Sequence, residues 1–196
     1  MLRHVTDGLS SATNVVGAAL VGSLGTRRGD DWSDIDLLVY VDGEARGALD
    51  GVVAEAACVL TAPHNTRADG DSFGAIFLVD GLPILTDWYV WPADRAAWPR
   101  DATPISGARR AFPIGGSFLD MNGVGARGEL PAATDERLRH HAIAMTVIDA
   151  KRLARGATDV DPGTLVAQLE PHRAAARELV DAAERYVELA IRSACA

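Results

Sequence analysis

Lysine is almost missing from this chain: 18 of its 19 basic residues are arginine, and Lys151 stands alone. High alanine, glycine and arginine with scarce lysine is the usage of a GC-rich genome. The arginine count is therefore uninformative, and the single lysine draws attention. Cysteine is nearly as rare. Cys58 and Cys195 are only two and far apart, which excludes a disulfide framework and a cysteine zinc site. No apolar run approaches the ~20 residues of a membrane helix, and Met1-Leu2-Arg3-His4-Val5-Thr6-Asp7 lacks the apolar core of a secretion signal. A cytoplasmic protein with no membrane contact is expected.

Positive charge is also in deficit. A net charge of −8 argues against a nucleic-acid partner, since phosphate backbones are held by basic surfaces. It suits a cationic small molecule, or simply keeps the protein in solution. With 196 residues, 48% apolar and 23% charged, the chain has enough material for a real core in one domain or two small ones.

The informative stretch is Ala19-Leu20-Val21-Gly22-Ser23, followed by Asp34-Ile35-Asp36-Leu37-Leu38-Val39-Tyr40-Val41. A Gly-Ser turn ends one apolar run, and a carboxylate pair opens the next. On a strand, Asp34 and Asp36 share one face, about 7 Å apart, while Ile35, Leu37, Val39 and Val41 share the other. Two such acids can hold Mg²⁺ together with substrate phosphates. Gly22 lets backbone approach a phosphate, and Ser23 adds a hydroxyl and an N–H. Asp-x-Asp alone says little, because it recurs at 69/71 in a polar loop and at 159/161 before Pro162. Only the first copy has both the Gly-Ser turn and a following strand. The reading is metal-dependent nucleotidyl transfer.

These residues resemble the nucleotidyltransferase superfamily that includes DNA polymerase beta, and within it the small antibiotic nucleotidyltransferases. Leu20-Val21-Gly22-Ser23 and Ser33-Asp34-Ile35-Asp36-Leu37 match its pattern, over a core of residues 10 to 92. The resemblance implies a third acid on a later strand, which looks like Asp87 in Ile84-Leu85-Thr86-Asp87-Trp88-Tyr89-Val90. It implies two Mg²⁺ ions on Asp34, Asp36 and Asp87, with all three acids catalytic and Asp87 the candidate base for the acceptor hydroxyl. ATP is the implied co-substrate. Lys151-Arg152-Leu153-Ala154-Arg155-Gly156 resembles the Lys-x-Leu-x-x-Gly segment whose lysine reaches nucleotide phosphates, so Gly22, Ser23 and Lys151 become nucleotide-binding candidates. The competing reading of Lys151 is a basic helix end complementing the dipole.

The expected fold class is α/β (α+β): a nucleotidyltransferase domain with a small mixed sheet over 1–98, a Gly/Pro-rich connection over 99–133, and a helical domain over 134–196. Periodicity and turn chemistry predict a helix over 3–13, a strand over 15–21 and a short helix over 24–29 with its amino end toward phosphate. A further helix is predicted over 44–59. Phe73–Val79 and Pro83–Trp91 flank Asp80-Gly81-Leu82 as a hairpin. On its second strand Leu85, Asp87 and Tyr89 share a face; Asp87 there either meets metal or faces water. Thr134 caps a largely buried helix, Asp161-Pro162 starts a short one, and 172–194 is amphipathic with Leu179, Ala183, Val187, Ala190 and Ile191 as its stripe.

Arg27 and Arg28 lie where they reach a triphosphate or stay solvated. Nothing ranks Arg109 and Arg110, and the doublet His140-His141 reads as one face of a partly exposed helix. Asp69, Asp71, Asp120 and Glu129 are loop acids placed to read a cationic acceptor. The acceptor is expected to be a small hydroxylated antibiotic such as an aminoglycoside or lincosamide, modified by a monomer or homodimer. The alternative is an antitoxin-like minimal nucleotidyltransferase acting on a partner toxin protein.

Overall fold

The computed structural model describes residues 2–43, 49–60, 69–105, 112–123 and 134–195. Arg109, Arg110, Glu129 and the start of the 44–59 helix lie outside them. The chain is mixed α/β. It runs α1 (Leu2–Ser11), β1 (Val15–Leu20), α2 (Gly22–Gly25), β2 (Ile35–Val41), α3 (Asp50–Val53), β3 (Cys58–Leu60), β4 (Asp71–Val79), β5 (Leu82–Pro92) and β6 (Thr103–Pro104). Helices α4 (Phe118–Asn122), α5 (Asp135–Ala154), α6 (Pro162–Leu169) and α7 (Arg177–Ala194) follow. The strands form one mixed sheet in the order β3-β4-β5-β2-β1-β6.

By contact density the described residues fall into two units. The first holds 2–43, 49–55, 69–75, 86–105 and 112–123; the second holds 56–60, 76–85 and 134–195. The tip of the β4–β5 hairpin thus groups with the helices.

In the first unit β2 pairs antiparallel with β1 and parallel with β5. Alternation on β2 and β5 is what the pattern of apolar residues demands. Leu37, Val39, Trp88 and Val90 are buried on one face, and Leu38, Tyr40 and Trp91 on the other. Tyr40 centres an aromatic cluster, with ring centroids 6.0 Å from Trp91, 5.3 Å from Trp98 and 5.0 Å from Phe112. Its hydroxyl donates to the carbonyl of Ala97, so the polar tip is satisfied inside the core. On the opposite face Thr86 is fully buried. Its hydroxyl donates to Ala75 O at 3.2 Å and accepts from Trp88 Nε1 at 2.8 Å.

The second unit is a packed trio of α5, α6 and α7, with Ile143, Val147, Leu165, Leu169, Val180 and Val187 at its centre. The starts of α5 and α6 follow their sequence signals. Thr134 accepts from Arg137 N at 3.2 Å, and Asp161 accepts from Thr164 N at 2.9 Å with Pro162 in the first turn. The reverse turn between β4 and β5 is Asp80-Gly81, at φ 51° and 74°, both positive as a two-residue hairpin requires. Arg185 donates twice to Gly81 O, at 3.1 and 2.8 Å.

Some boundaries differ from expectation. Only Asp50–Val53 of the 44–59 segment is a described helix, and Cys58–Leu60 is a strand. Past Val53 the chain turns onto the sheet, where Ala57 N bonds to Ile76 O at 2.8 Å. The 24–29 helix is shorter and earlier, because its carboxy end closes at Thr26–Arg28. Within 99–133 a capping box of Ser117 and Asp120 starts α4. A 3-10 turn over Glu170–His172 delays α7 to Arg177.

Thr86→Val keeps shape but strands the Trp88 indole N–H in the core. It should destabilise the protein by about 1–3 kcal/mol, read as a lower urea midpoint at unchanged m-value. An unchanged midpoint would show that the hydroxyl does not hold this face.

Candidate functional site

The site begins with strand register. The parallel pairing of β2 and β5 sets Ile35 opposite Thr86 and Asp36 opposite Asp87. Because Leu37 and Trp88 are buried on one face, Asp36 and Asp87 are committed to the other. Neighbouring strands are about 4.8 Å apart, so the two carboxylates stand side by side, each half-buried. The pair disfavours its own ionisation. Burial first, and the Asp87 charge second, push the Asp36 carboxyl up to about 6.

The Gly-Ser turn lies directly on this pair. Val21 N donates to Asp36 O at 3.0 Å, tying the end of β1 to the start of β2. Gly22 sits at φ 61°, and a β-carbon there would fall 2.2 Å from Oδ2 of Asp36. No other residue fits without moving the carboxylate. Ser23 follows, half-buried, in the first turn of α2, where helix geometry leaves N–H groups without intrahelical partners.

Asp34 precedes β2 and is half-buried. Among the described residues no three Asp, Glu, His or Cys side chains are gathered as a metal-holding group. The structure brings Asp36 and Asp87 together beneath Gly22 but does not assemble a three-carboxylate set. The pair does fit a divalent cation: two adjacent hard oxygen donors, one carrying a charge cost that a cation relieves, beside a turn where Gly22 has no side chain to crowd Asp36. Lys151 lies on α5 of the second unit, 3% exposed beside Ala150 and Leu153. It is buried, unlike the exposed dipole partner that one reading expects. The helix ends beyond it at Gly156, with Ala157 N bonded to Arg152 O at 2.9 Å.

The loop acids are dispersed. Asp120 accepts from Ser117 Oγ at 2.6 Å and faces Arg100 at 3.9 Å, so it is a cap, held below its usual value by Ser117. Asp71 opens β4, exposed. Asp69 lines a cavity of about 510 Å³ with Asp42 and Asp94, bounded by Val41 and Pro92. Val41 and Pro92 end the β2–β5 pairing, five residues beyond Asp36 and Asp87. At ~3.3 Å per residue that cavity is roughly 16 Å from the carboxylate pair.

Tyr89 lies beside Asp87, on the face that strand alternation gives it. Two residues after Asp87 on the same face, its phenol is pushed well above its usual value by burial, then Asp87, then Asp36. Its ring meets Phe118 edge-on at 4.8 Å. The signal was the i, i+2 spacing from Asp87.

Arg27 and Arg28 leave α2 through a paired closure: Arg28 N bonds to Ser23 O at 2.8 Å and Arg27 N to Leu24 O at 3.1 Å. Arg27 takes φ 57°, a left-handed conformation costing a non-glycine about 1–2 kcal/mol.

Among the described residues no helix is long and apolar enough to cross a membrane. No protein-family model matches the chain, and no curated protein matches it in sequence.

Proposed function

We propose that this chain is a nucleotidyltransferase that moves a nucleoside monophosphate, AMP from ATP, onto a hydroxyl of a small molecule. The acceptor class is a hydroxylated antibiotic of the aminoglycoside or lincosamide kind. The observation that carries the reading is the Asp36–Asp87 pair in parallel register beneath Gly22. Burying two like charges together costs stability, and a fold tolerates it where the charge is used.

Asp36 and Asp87 would hold Mg²⁺, with Asp34, the first acid of the Asp-x-Asp pair, just ahead of them on the same segment as Asp36. When bound, Mg²⁺ neutralises triphosphate charge and lowers the pKa of the acceptor hydroxyl. With no side chain at Gly22, a phosphate can approach the backbone of this turn closely. Ser23 donates its hydroxyl and N–H to the phosphates that leave as pyrophosphate. Asp87 accepts the hydroxyl proton on a carboxylate oxygen, which requires hydrogen-bond reach in the bound state. Most of the rate comes from holding these groups in line.

Labelled ATP, Mg²⁺ and a panel of aminoglycosides and lincosamides test the reading directly by label transfer. Asp87→Asn should lower kcat by about 10²–10⁴-fold. Asp80→Asn, in a turn whose positive φ asparagine accepts, should leave it unchanged. The reverse order would remove Asp87 from the chemistry.

The raised carboxyl of Asp36 sets a pH dependence. Between pH 4 and 6 the folded protein keeps a proton that the unfolded chain releases. Stability therefore falls as pH rises through that window and stays low above it. Two pKa units correspond to roughly 2–3 kcal/mol. Asp36→Asn should flatten this fall, so that the variant melts higher than wild type at pH 7.5 and the gap closes at pH 4. Mg²⁺ at pH 7.5 should raise the melting temperature of wild type more than that of the variant. Parallel melting curves across pH would show that Asp36 carries no such load.

A further inference from the structure

We infer that Tyr89 reads the acceptor: its phenol binds a polar group beside the hydroxyl that takes the nucleotide. The inference rests on the nucleotidyltransferase reading and names a specificity residue within it. On β5, Asp87 and Tyr89 are two residues apart on one face, about 7 Å by strand rise. The phenol lies within the field of both Asp87 and Asp36. Tyr89 is half-buried, and among the described residues its hydroxyl has no hydrogen-bond partner.

Packing accounts for the ring and not for the hydroxyl. The ring meets Phe118 edge-on, centroids 4.8 Å apart, and rests on the cluster that holds Leu38, Tyr40 and Trp91. Phenylalanine would fill that place equally. Phe118 N donates to Asp101 at 2.7 Å, so the contact that aims the ring is itself fixed. Neighbouring polar groups are provided for: Tyr40, on the same sheet face, gives its hydroxyl to Ala97 O, and Thr86 and Trp88 bond to each other on the opposite face. A half-exposed phenol on a fixed ring, unused by the core and set beside two acids, is what a ligand site presents.

Strand order decides which substrate it meets. Gly22 and Ser23 follow β1, Asp36 lies on β2, and Asp87 and Tyr89 lie on β5, with β2 between the other two strands. In-line displacement sets the entering oxygen opposite the leaving one at phosphorus. With pyrophosphate leaving over Gly22-Ser23 on the β1 side, the acceptor arrives on the β5 side. Its oxygen bonds to the α-phosphorus, the bond to pyrophosphate breaks, and the proton passes to Asp87. Tyr89 takes no part in these changes. A phenol both donates and accepts, so it suits a second hydroxyl or an amine of a polyhydroxylated acceptor.

The test is Tyr89→Phe, which keeps the ring and removes the hydroxyl. It is assayed for transfer from ATP in Mg²⁺ to kanamycin, streptomycin and lincomycin, with ATP titrations and thermal melts. For the acceptor that takes label, KM should rise about three- to tenfold, the worth of one neutral hydrogen bond. The kcat, the affinity for ATP and the melting temperature should match wild type. Tyr40→Phe is the control: it should lower the melting temperature and leave the acceptor KM unchanged. An unchanged acceptor KM in Tyr89→Phe would overturn this inference and leave the nucleotidyltransferase reading standing. So would weaker ATP binding, which moves Tyr89 to the nucleotide, or a lower melting temperature, which makes its hydroxyl structural. A fall in kcat at constant KM would overturn it by placing the phenol in the proton transfer. Wild-type protein that binds ATP yet labels none of these acceptors would overturn the inference together with the acceptor class. Wild-type protein that does not bind ATP would overturn the whole reading.

Discussion

The parallel register of β2 against β5 is the constraint on which the candidate site depends. Asp36 and Asp87 are adjacent because Leu37 and Val39 on one strand, and Trp88 and Val90 on the other, must point into the core together. A slip of one residue on either strand would send a carboxylate inward and an indole or branched chain outward. The apolar burial that fixes the sheet is therefore also what holds two like charges side by side. Thr86 reinforces the choice of face, since its buried hydroxyl donates to Ala75 O on β4 and accepts from Trp88 on its own strand.

Everything near the pair bears the mark of that crowding. Gly22 has no β-carbon because Asp36 occupies the space, and Val21 N is bonded to Asp36 O, so turn and strand move as one. Tyr89 feels both acids and leans on Phe118, whose N–H is held by Asp101 at 2.7 Å. The same segment contributes Phe118 to the aromatic core around Tyr40 and Trp91. Core packing and site electrostatics are thus settled by the same few residues.

Much of this was legible because it rests on local rules. Alternation on β2 and β5, the Asp80-Gly81 turn, the Thr134 cap and the Asp161-Pro162 start each state their structure within a few residues. The short elements were not legible. Residues 44–59 read as one helix by composition, but Ile76 draws Ala57 onto the sheet, and nothing local encodes a partner nineteen residues away. Helix α4 hid inside a Gly/Pro-rich stretch although Ser117 and Asp120 form a capping box. At the site, spacing gave Asp36 and Asp87 the right faces. It did not say that these two would be neighbours in register while Asp34 lies before the strand begins, because register belongs to pairing and not to sequence.

The acidity of the chain needs a narrower interpretation than its net charge suggests. The acids available to attract a cationic acceptor are mostly spent or misplaced. Asp120 caps α4, Asp159 and Asp149 hold Arg152, and Asp42, Asp69 and Asp94 ring a cavity at the far end of the β2–β5 pair. That far end is roughly 16 Å from Asp36 by strand rise, about two screening lengths at physiological salt. Its carboxylates cannot set the potential at Gly22. The local balance there is instead the Asp36–Asp87 pair against the exposed arginines of the Thr26–Arg28 closure. The charge this site presents is therefore set by the side chains around Gly22 and not by the net charge of the chain.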